Sequence, residues 1–304
     1  MEQTSMTALV SAFARAYHAK NDPAPVFRDT LAEALLTREE YDSISRHMAR
    51  GISFFDPSFR GTEEEALRRV VDRNLSPAPL GRAAFAEQEL ERAASNGAAQ
   101  YLILGAGYDT FSYRQPRWAR ALQIFEVDLP GASADKQARL ARAGISIPGN
   151  VHRVPADLSQ PQWCQALLAH PCFDPNRVSF CSLLGVAYYL PAAAFDAFLG
   201  SLADILAPGS VLVFDCPDEL SHTGHGGDRA KAQIKLAGGA GEPMFQGWSR
   251  SALEEALTRR GFLLRKFLTP PEITRQFFSA HNHAQPEHPI TAMDHVDYCL
   301  AQRV

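Results

Sequence analysis

The sequence predicts an α/β fold, a mostly parallel sheet with helices on both faces. Three observations predict it. From residue 99 onward, short apolar runs alternate with helical stretches. The first of those runs ends in a Gly-x-Gly turn at Gly105 and Gly107. Before residue 99 the pattern is helical, with no strand-like run. Apolar runs joined by helices lie parallel in one sheet, because each crossover helix returns the chain to the same end.

The elements follow in order. Thr7 to Ala19 places Leu9, Val10, Phe13 and Tyr17 at helical spacing, and Asn21-Asp22-Pro23-Ala24-Pro25 breaks it. Phe27 to Leu36 repeats the helical spacing, and Thr37-Arg38-Glu39-Glu40 reads as a capping box opening another helix. Helices are expected again over Thr62 to Asn74 and Gly81 to Ala94. Strands are expected at Ala99 to Leu104, Leu122 to Val127, Val151 to Val154, Val178 to Leu184 and Val211 to Asp215. Continuous apolar runs of this length suit strands buried on both faces. Helices are expected between them at Ser133 to Ala143, Gln162 to Leu168 and Ala192 to Leu206. Ser249 to Arg260 is a helix stopped by Gly261, followed by strands at Phe262 to Leu268 and Asp294 to Ala301. Two late strands without a clear crossover helix suggest an antiparallel edge. Residues 217–248 are rich in glycine (Gly224, Gly226, Gly227, Gly238, Gly239 and Gly241) and read as a lid or substrate loop.

Composition bounds the function. Of 304 residues, 46% are hydrophobic and 21% charged, which excludes a disordered chain. The net charge of −4 argues against a nucleic-acid-binding surface. Five cysteines at 164, 172, 181, 216 and 299 form no CxxC pair and read as buried thiols of a reducing compartment. Met1 to Met6 carries no leader pattern, and no apolar run is long enough to span a membrane. The expectation is a soluble cytoplasmic enzyme with no membrane or nucleic-acid partner and an open oligomeric state.

The glycine turn lets the backbone approach a ligand at the carboxyl end of the first strand. Glu126 and Asp128 follow Gly105 by 21 and 23 positions, where a carboxylate can accept from both hydroxyls of a ribose. The ligand is then a dinucleotide or S-adenosylmethionine. Thr110 stands where a dinucleotide fingerprint carries its third glycine, which weakens the pyrophosphate reading.

The run from Gln100 to Arg114, with Gly105-x-Gly107-x-Asp109-Thr110-x-x-x-Arg114, resembles the motif of the leucine carboxyl methyltransferase family. Glu126-Val127-Asp128-Leu129-Pro130 with Lys136, Pro155-Ala156-Asp157-Leu158, and Leu184-Gly185 with Tyr189-Leu190-Pro191 are similar to its later blocks. So are Gly241-Glu242-Pro243 and Leu268 to Ile273, and the resemblance runs from about Phe13 to the end.

The resemblance implies a Rossmann-like class I methyltransferase fold, a seven-stranded mostly parallel sheet in the order 3-2-1-4-5-7-6 with strand 7 antiparallel. It implies an S-adenosylmethionine-dependent O-methyltransferase acting on a small-molecule acceptor, expected to be a carboxylic acid. Residues 1–94 would form an N-terminal helical cap and residues 95–304 the core. The implied cofactor contacts are Gly105, Ala106 and Gly107 beside the methionine part, and Asp128 with Leu129 at the ribose. Asp157 and Leu158 would lie at the adenine, with Arg82 at the methionine carboxylate and Arg15 as a second basic contact. Leu184 occupies the position where many relatives carry Glu, so that Glu's polar contact has no counterpart here.

A carboxylate acceptor is already a nucleophile and needs orientation, whereas a hydroxyl needs a base. Tyr188 and Tyr189 are the candidate donors that orient the acceptor. Asp215 reads as a loop-holding carboxylate rather than a base, and Arg114 as a structural partner of a nearby acid. Glu63-Glu64-Glu65 beside Arg68-Arg69 reads as a solvated face with i,i+4 pairs. His222 with His225, and His281 with His283, lack the company a metal site needs, so no metal is expected. Two other readings stand beside this one: an NAD(P)-dependent oxidoreductase, and a protein that holds the cofactor without catalysis.

Overall fold

The computed structural model describes residues 5–223, 225–245 and 247–304. Gly224 of the glycine-rich segment and residues 1–4 of the N-terminus lie outside the described residues.

Helix α1 (Met6–Asn21) is capped by the Ser5 hydroxyl, which accepts from Ala8 N. The expected capping box opens α2 (Arg38–Arg50): Glu40 N donates to Thr37 Oγ1 at 3.0 Å, and Thr37 N donates to Glu40 Oε2 at 2.7 Å. After α3 (Ile52–Phe55), α4 (Glu63–Val70) starts on a second capping box, Thr62 with Glu65. The helix expected to reach Asn74 instead widens over Val71–Leu75, where Ser76 N reaches back to Val71 O. Helix α5 (Pro77–Ser95) begins at Pro77 rather than Gly81, since proline suits a first helical turn that has no partner for its N–H.

Two N-terminal expectations fail. Phe27 to Leu36 forms only a short turn at Glu33–Leu35. The Asp29 carboxylate takes the N–H groups of Leu31 and Ala32, ending the helical ladder before it starts. Arg68 and Arg69 also ignore Glu63 to Glu65. Arg68 pairs with Asp22 and Asp72, Arg69 with Asp56, and Glu63 with Arg50.

The sheet comprises β1 (Gln100–Leu104), β2 (Gln123–Asp128), β3 (Val151–Pro155), β4 (Ser179–Leu183), β5 (Val211–Pro217), β6 (Phe262–Leu268) and β7 (Val296–Arg303). Its order is β3-β2-β1-β4-β5-β7-β6, with β7 antiparallel to both neighbours and the other pairs parallel. The helices between are α6 (Phe111–Arg114), α7 (Pro130–Arg142), α8 (Cys164–Leu168), α9 (Ala192–Ile205), α10 (Gly227–Gly239), α11 (Arg250–Arg259), α12 (Pro270–Ile273) and α13 (Ser279–Ala284). The 217–248 segment is therefore not loop throughout, because α10 occupies its middle.

All five residues of β1 are buried. Successive side chains of a strand point to opposite faces. Leu102 and Leu104 accordingly join Phe195, Phe198 and Leu202 of α9, while Tyr101 and Ile103 join Phe85 and Leu90 of α5. Helix α5 thus packs directly on the sheet. A third cluster ties Phe13 and Tyr17 of α1 to Val70, Tyr108 and Leu140. Of the five cysteines, four are buried, and Cys172 is exposed. Among the described residues no helix is long and apolar enough to cross a membrane.

Candidate cofactor and acceptor cavity

The sheet order reverses between β1 and β4, and the strand ends splay there into a crevice. A cavity of about 1510 Å³ opens at this place. All twelve residues expected at the site line it: Arg15, Arg82, Gly105, Ala106, Gly107, Asp128, Leu129, Asp157, Leu158, Leu184, Tyr188 and Tyr189.

Its floor is the turn after β1. Gly105 has φ +71°, and a Cβ there would run into the Val186 side chain. Gly107 N donates to Asp128 Oδ2 at 2.6 Å, and Leu129 N donates to Asp128 Oδ1 at 2.8 Å. Each oxygen takes one backbone N–H, and Asp128 lines the cavity. Burial pushes the Asp128 carboxyl above its ordinary range, with the two N–H groups pulling the other way. Glu126 cannot share this role. It is buried against Lys136 Nζ at 2.9 Å and accepts from the Tyr113 hydroxyl at 2.7 Å.

The wall after β3 carries Asp157 and Leu158. The Asp157 carboxylate holds Ser159 through its N–H (2.9 Å) and hydroxyl (2.7 Å), and Leu158 is buried.

At the end of β4, Leu184 packs among apolar neighbours on the cavity wall. Gly185 has φ +68°, and a Cβ there would fall on the Arg82 guanidinium. Among the described residues Arg82 makes long contacts, 3.3 Å to Asp215 Oδ2 and 3.4 Å to Ser11 Oγ. Burial alone would lower its pKa, but Asp215 beside it holds the pKa above the ordinary value. Asp215 accepts from Gly185 N at 2.6 Å and from the Tyr188 hydroxyl at 2.8 Å as well. It holds the loop, as its position suggested. Tyr188 is therefore corrected: its proton is committed to Asp215, so it has none to offer an acceptor. Tyr189 sits beside Thr7 and Glu242, and burial raises its phenol pKa, so it stays a donor.

Asp29 is the residue that sequence reasoning missed. It is buried and accepts from Arg15 Nε (2.9 Å) and Thr110 Oγ1 (2.7 Å), and Arg114 lies 3.6 Å away. Arg114 Nε donates to Thr110 Oγ1 at 2.8 Å, and its other end pairs with Glu87. Arg15 also donates to the Tyr108 carbonyl at 2.6 Å. The Asp109-Thr110-x-x-x-Arg114 run is thus the clasp that fixes the glycine turn to the N-terminal helices. No spacing rule flags Asp29; the only signal is an acid just past a proline-rich break.

The geometry disfavours a pyrophosphate. Helix α6, which follows the glycine turn, has four residues, and the N–H of Phe111 is taken by Asp109 Oδ1 at 2.7 Å, so this helix offers no open N-terminus to a phosphate. The order β3-β2-β1-β4-β5-β7-β6, with β7 antiparallel, also departs from the 3-2-1-4-5-6 order of the dinucleotide sheet.

Comparisons with known proteins agree. The model of the leucine carboxyl methyltransferase family matches residues 8–203. A Bacillus subtilis (strain 168) protein named "Putative S-adenosyl-L-methionine-dependent methyltransferase YktD" is 38% identical over 91% of this chain and 92% of its own. Among solved structures, a DUF574 family protein from Streptomyces avermitilis superposes with TM-score 0.60 at 14% identity, covering 97% of each chain. A "putative methyltransferase" from Thermobifida fusca superposes with TM-score 0.54 at 16% identity, covering 99% of this chain and 95% of that one. These two show the same fold. The chain is an S-adenosylmethionine-dependent methyltransferase and belongs to the leucine carboxyl methyltransferase family.

Proposed function

We propose that the enzyme is an O-methyltransferase whose acceptor is the carboxylate of a small molecule. The observation that carries this reading is the state of Asp215, the β5 carboxylate beside the turn after β4. Three donors already surround it, so it is no base for a hydroxyl. What the site offers an acceptor instead is the neutral Tyr189 hydroxyl, a donor suited to orient an anion.

The residues present fit S-adenosylmethionine. Gly105, Gly107 and Gly185 line the cavity at positive φ, and a Cβ at Gly105 or Gly185 would push Val186 or the Arg82 guanidinium out of place. Asp128 would hold the ribose hydroxyls with Leu129 beside it, Asp157 and Leu158 would flank the adenine, and Arg82, backed by Arg15, would face the methionine carboxylate. Bound there, the cofactor supplies a methyl group on a sulfonium whose charge vanishes as the methyl leaves. The chain's own contribution is orientation and exclusion of water. The helices before α5 act as the cap, α5 itself packing on the sheet, with α10 in the closing segment. Met48, Phe54 and Phe55 from the cap and Leu236 from α10 line the cavity on this side. A drug-sized pocket spans about 300–1,000 Å³, so this cavity has room for an acceptor beside the cofactor.

The test uses S-adenosylmethionine labelled in the methyl group and a panel of carboxylic acids and alcohols. Methyl esters release methanol in base and ethers do not. Base-labile label on acids supports the proposal; turnover of neutral alcohols alone overturns it. A second reading rests on Glu242, which lines the cavity and accepts from the Thr7 hydroxyl. It could serve a hydroxyl acceptor as base. Glu242→Gln should leave acid methylation within a few-fold of wild type, whereas a base role predicts loss of about 10²–10⁴-fold.

The glycine lining also makes a prediction. Gly185→Ala forces a side chain onto Arg82 at a left-handed φ, and should weaken S-adenosylhomocysteine binding in calorimetric titration while leaving the fold intact. Unchanged affinity would remove Arg82 from the cofactor site.

A further inference from the structure

The cavity uses the carboxyl ends of the strands. A different cluster lies at their amino ends, on the β3 edge of the sheet. We propose that His152, His170 and Cys172 form a three-ligand zinc site there, separate from the methyl-transfer centre.

One ring nitrogen from each histidine and the Cys172 sulfur lie within 4.8 Å of one another. Zinc bonds of about 2.0–2.3 Å in a tetrahedron place ligand atoms about 3.5 Å apart, within reach of side-chain rotation from this spacing. Two nitrogens and one thiolate are a donor set that zinc prefers over magnesium or calcium. A fourth position remains for water.

Each histidine already has an orienting partner. His152 Nε2 lies 2.8 Å from Gln123 Oε1 across the β2–β3 pair. If that nitrogen carries the proton, Nδ1 is the free ligand atom, the arrangement that outer-shell partners give metal-bound imidazoles. His170 Nδ1 accepts from Cys172 N at 3.3 Å, leaving its Nε2 free. The Phe125 ring packs on both imidazoles, at 5.0 Å and 5.4 Å between centroids. His152 and His170 face each other with centroids 4.7 Å apart. The packing fixes the rings, and Cys172 remains open to solvent as the entry side.

The chain segments joined are informative. His152 is the second residue of β3, while His170 and Cys172 lie in the turn after α8. Asp157, at the cavity, is five residues further along, roughly 16 Å at strand rise. A metal here would therefore brace the β3–α8 segment that carries Asp157 and Leu158 without touching the transferred methyl. On coordination the Cys172 thiol proton passes to solvent and the sulfur binds as thiolate.

The full-length protein, reduced and stripped with a chelator, is titrated with cobalt(II) as the probe. The expected result is one equivalent bound, with thiolate-to-cobalt charge-transfer absorption and the visible bands of a tetrahedral site, bleached by zinc. Cys172→Ser should abolish the charge-transfer band, and Gln123→Ala should weaken zinc binding about tenfold. Zinc should also slow alkylation of Cys172, the exposed cysteine. S-adenosylhomocysteine binding by both variants confirms that they fold. Absence of the band in the wild-type protein, or its survival in Cys172→Ser, overturns the site.

Discussion

Replacing Asp128 by alanine is expected to weaken binding of S-adenosylmethionine and S-adenosylhomocysteine by about 3 kcal/mol, roughly a hundredfold. The carboxylate would accept from two ribose hydroxyls, and charged hydrogen bonds contribute about 1.5–3 kcal/mol each. It also receives the N–H groups of Gly107 and Leu129, so alanine loosens the glycine turn as well. Asp128→Asn separates the two contributions. It keeps one acceptor oxygen, and its affinity should fall between wild type and Asp128→Ala. A pH dependence follows from the raised pKa. A carboxyl whose folded value lies above its unfolded value contributes stability only below the unfolded value, and loses it as pH rises through the folded one. At neutral pH the folded enzyme therefore carries Asp128 ionised at some cost in stability. Cofactor affinity should decline as pH falls into the range just above the ordinary aspartate value, and the decline should vanish in Asp128→Asn. Calorimetric titration across pH measures both.

The second large effect concerns stability. Asp29→Ala is expected to destabilise the fold by about 3–5 kcal/mol, because it strands the buried Arg15 and leaves Arg114 and Thr110 without a shared partner. Burial alone would raise the Asp29 carboxyl, but Arg15, Arg114 and the Thr110 hydroxyl hold it below the ordinary value. The sign is opposite to that of Asp128. A depressed carboxylate contributes stability above its unfolded pKa and loses it as pH falls through the folded value. The gap between wild type and Asp29→Ala should be full at neutral pH and narrow only below the ordinary aspartate range. Denaturant midpoints at several pH values measure this. A midpoint at neutral pH within the error of wild type would show that the clasp does not hold the N-terminal helices to the glycine turn.

The sheet was legible wherever burial on both faces made a strand continuously apolar, as in Tyr101 to Leu104. That Asp128 would lie at the glycine turn was legible because their spacing follows from the length of a strand–helix–strand unit. Tertiary roles were not legible. Phe27 to Leu36 has helical spacing, yet Asp29 spends its side chain on turn N–H groups and on two arginines from distant positions. Tyr188 and Tyr189 are adjacent in sequence, and nothing local reveals that one faces Asp215 and the other Thr7. Within 217–248 the signal was present. The glycines cluster at the ends of α10, while Arg229 to Ala237 consists mostly of good helix formers. Reading glycine count in place of glycine position obscured that helix.

The most direct test of the cofactor assignment is a crystal structure of the enzyme with S-adenosylhomocysteine. The predicted result has both ribose hydroxyls on the Asp128 carboxylate, the amino-acid carboxylate on Arg82, and the sulfur facing the part of the cavity lined by Tyr189 and Phe54. A ribose bound away from Asp128, or a sulfur turned from that side of the cavity, would contradict it.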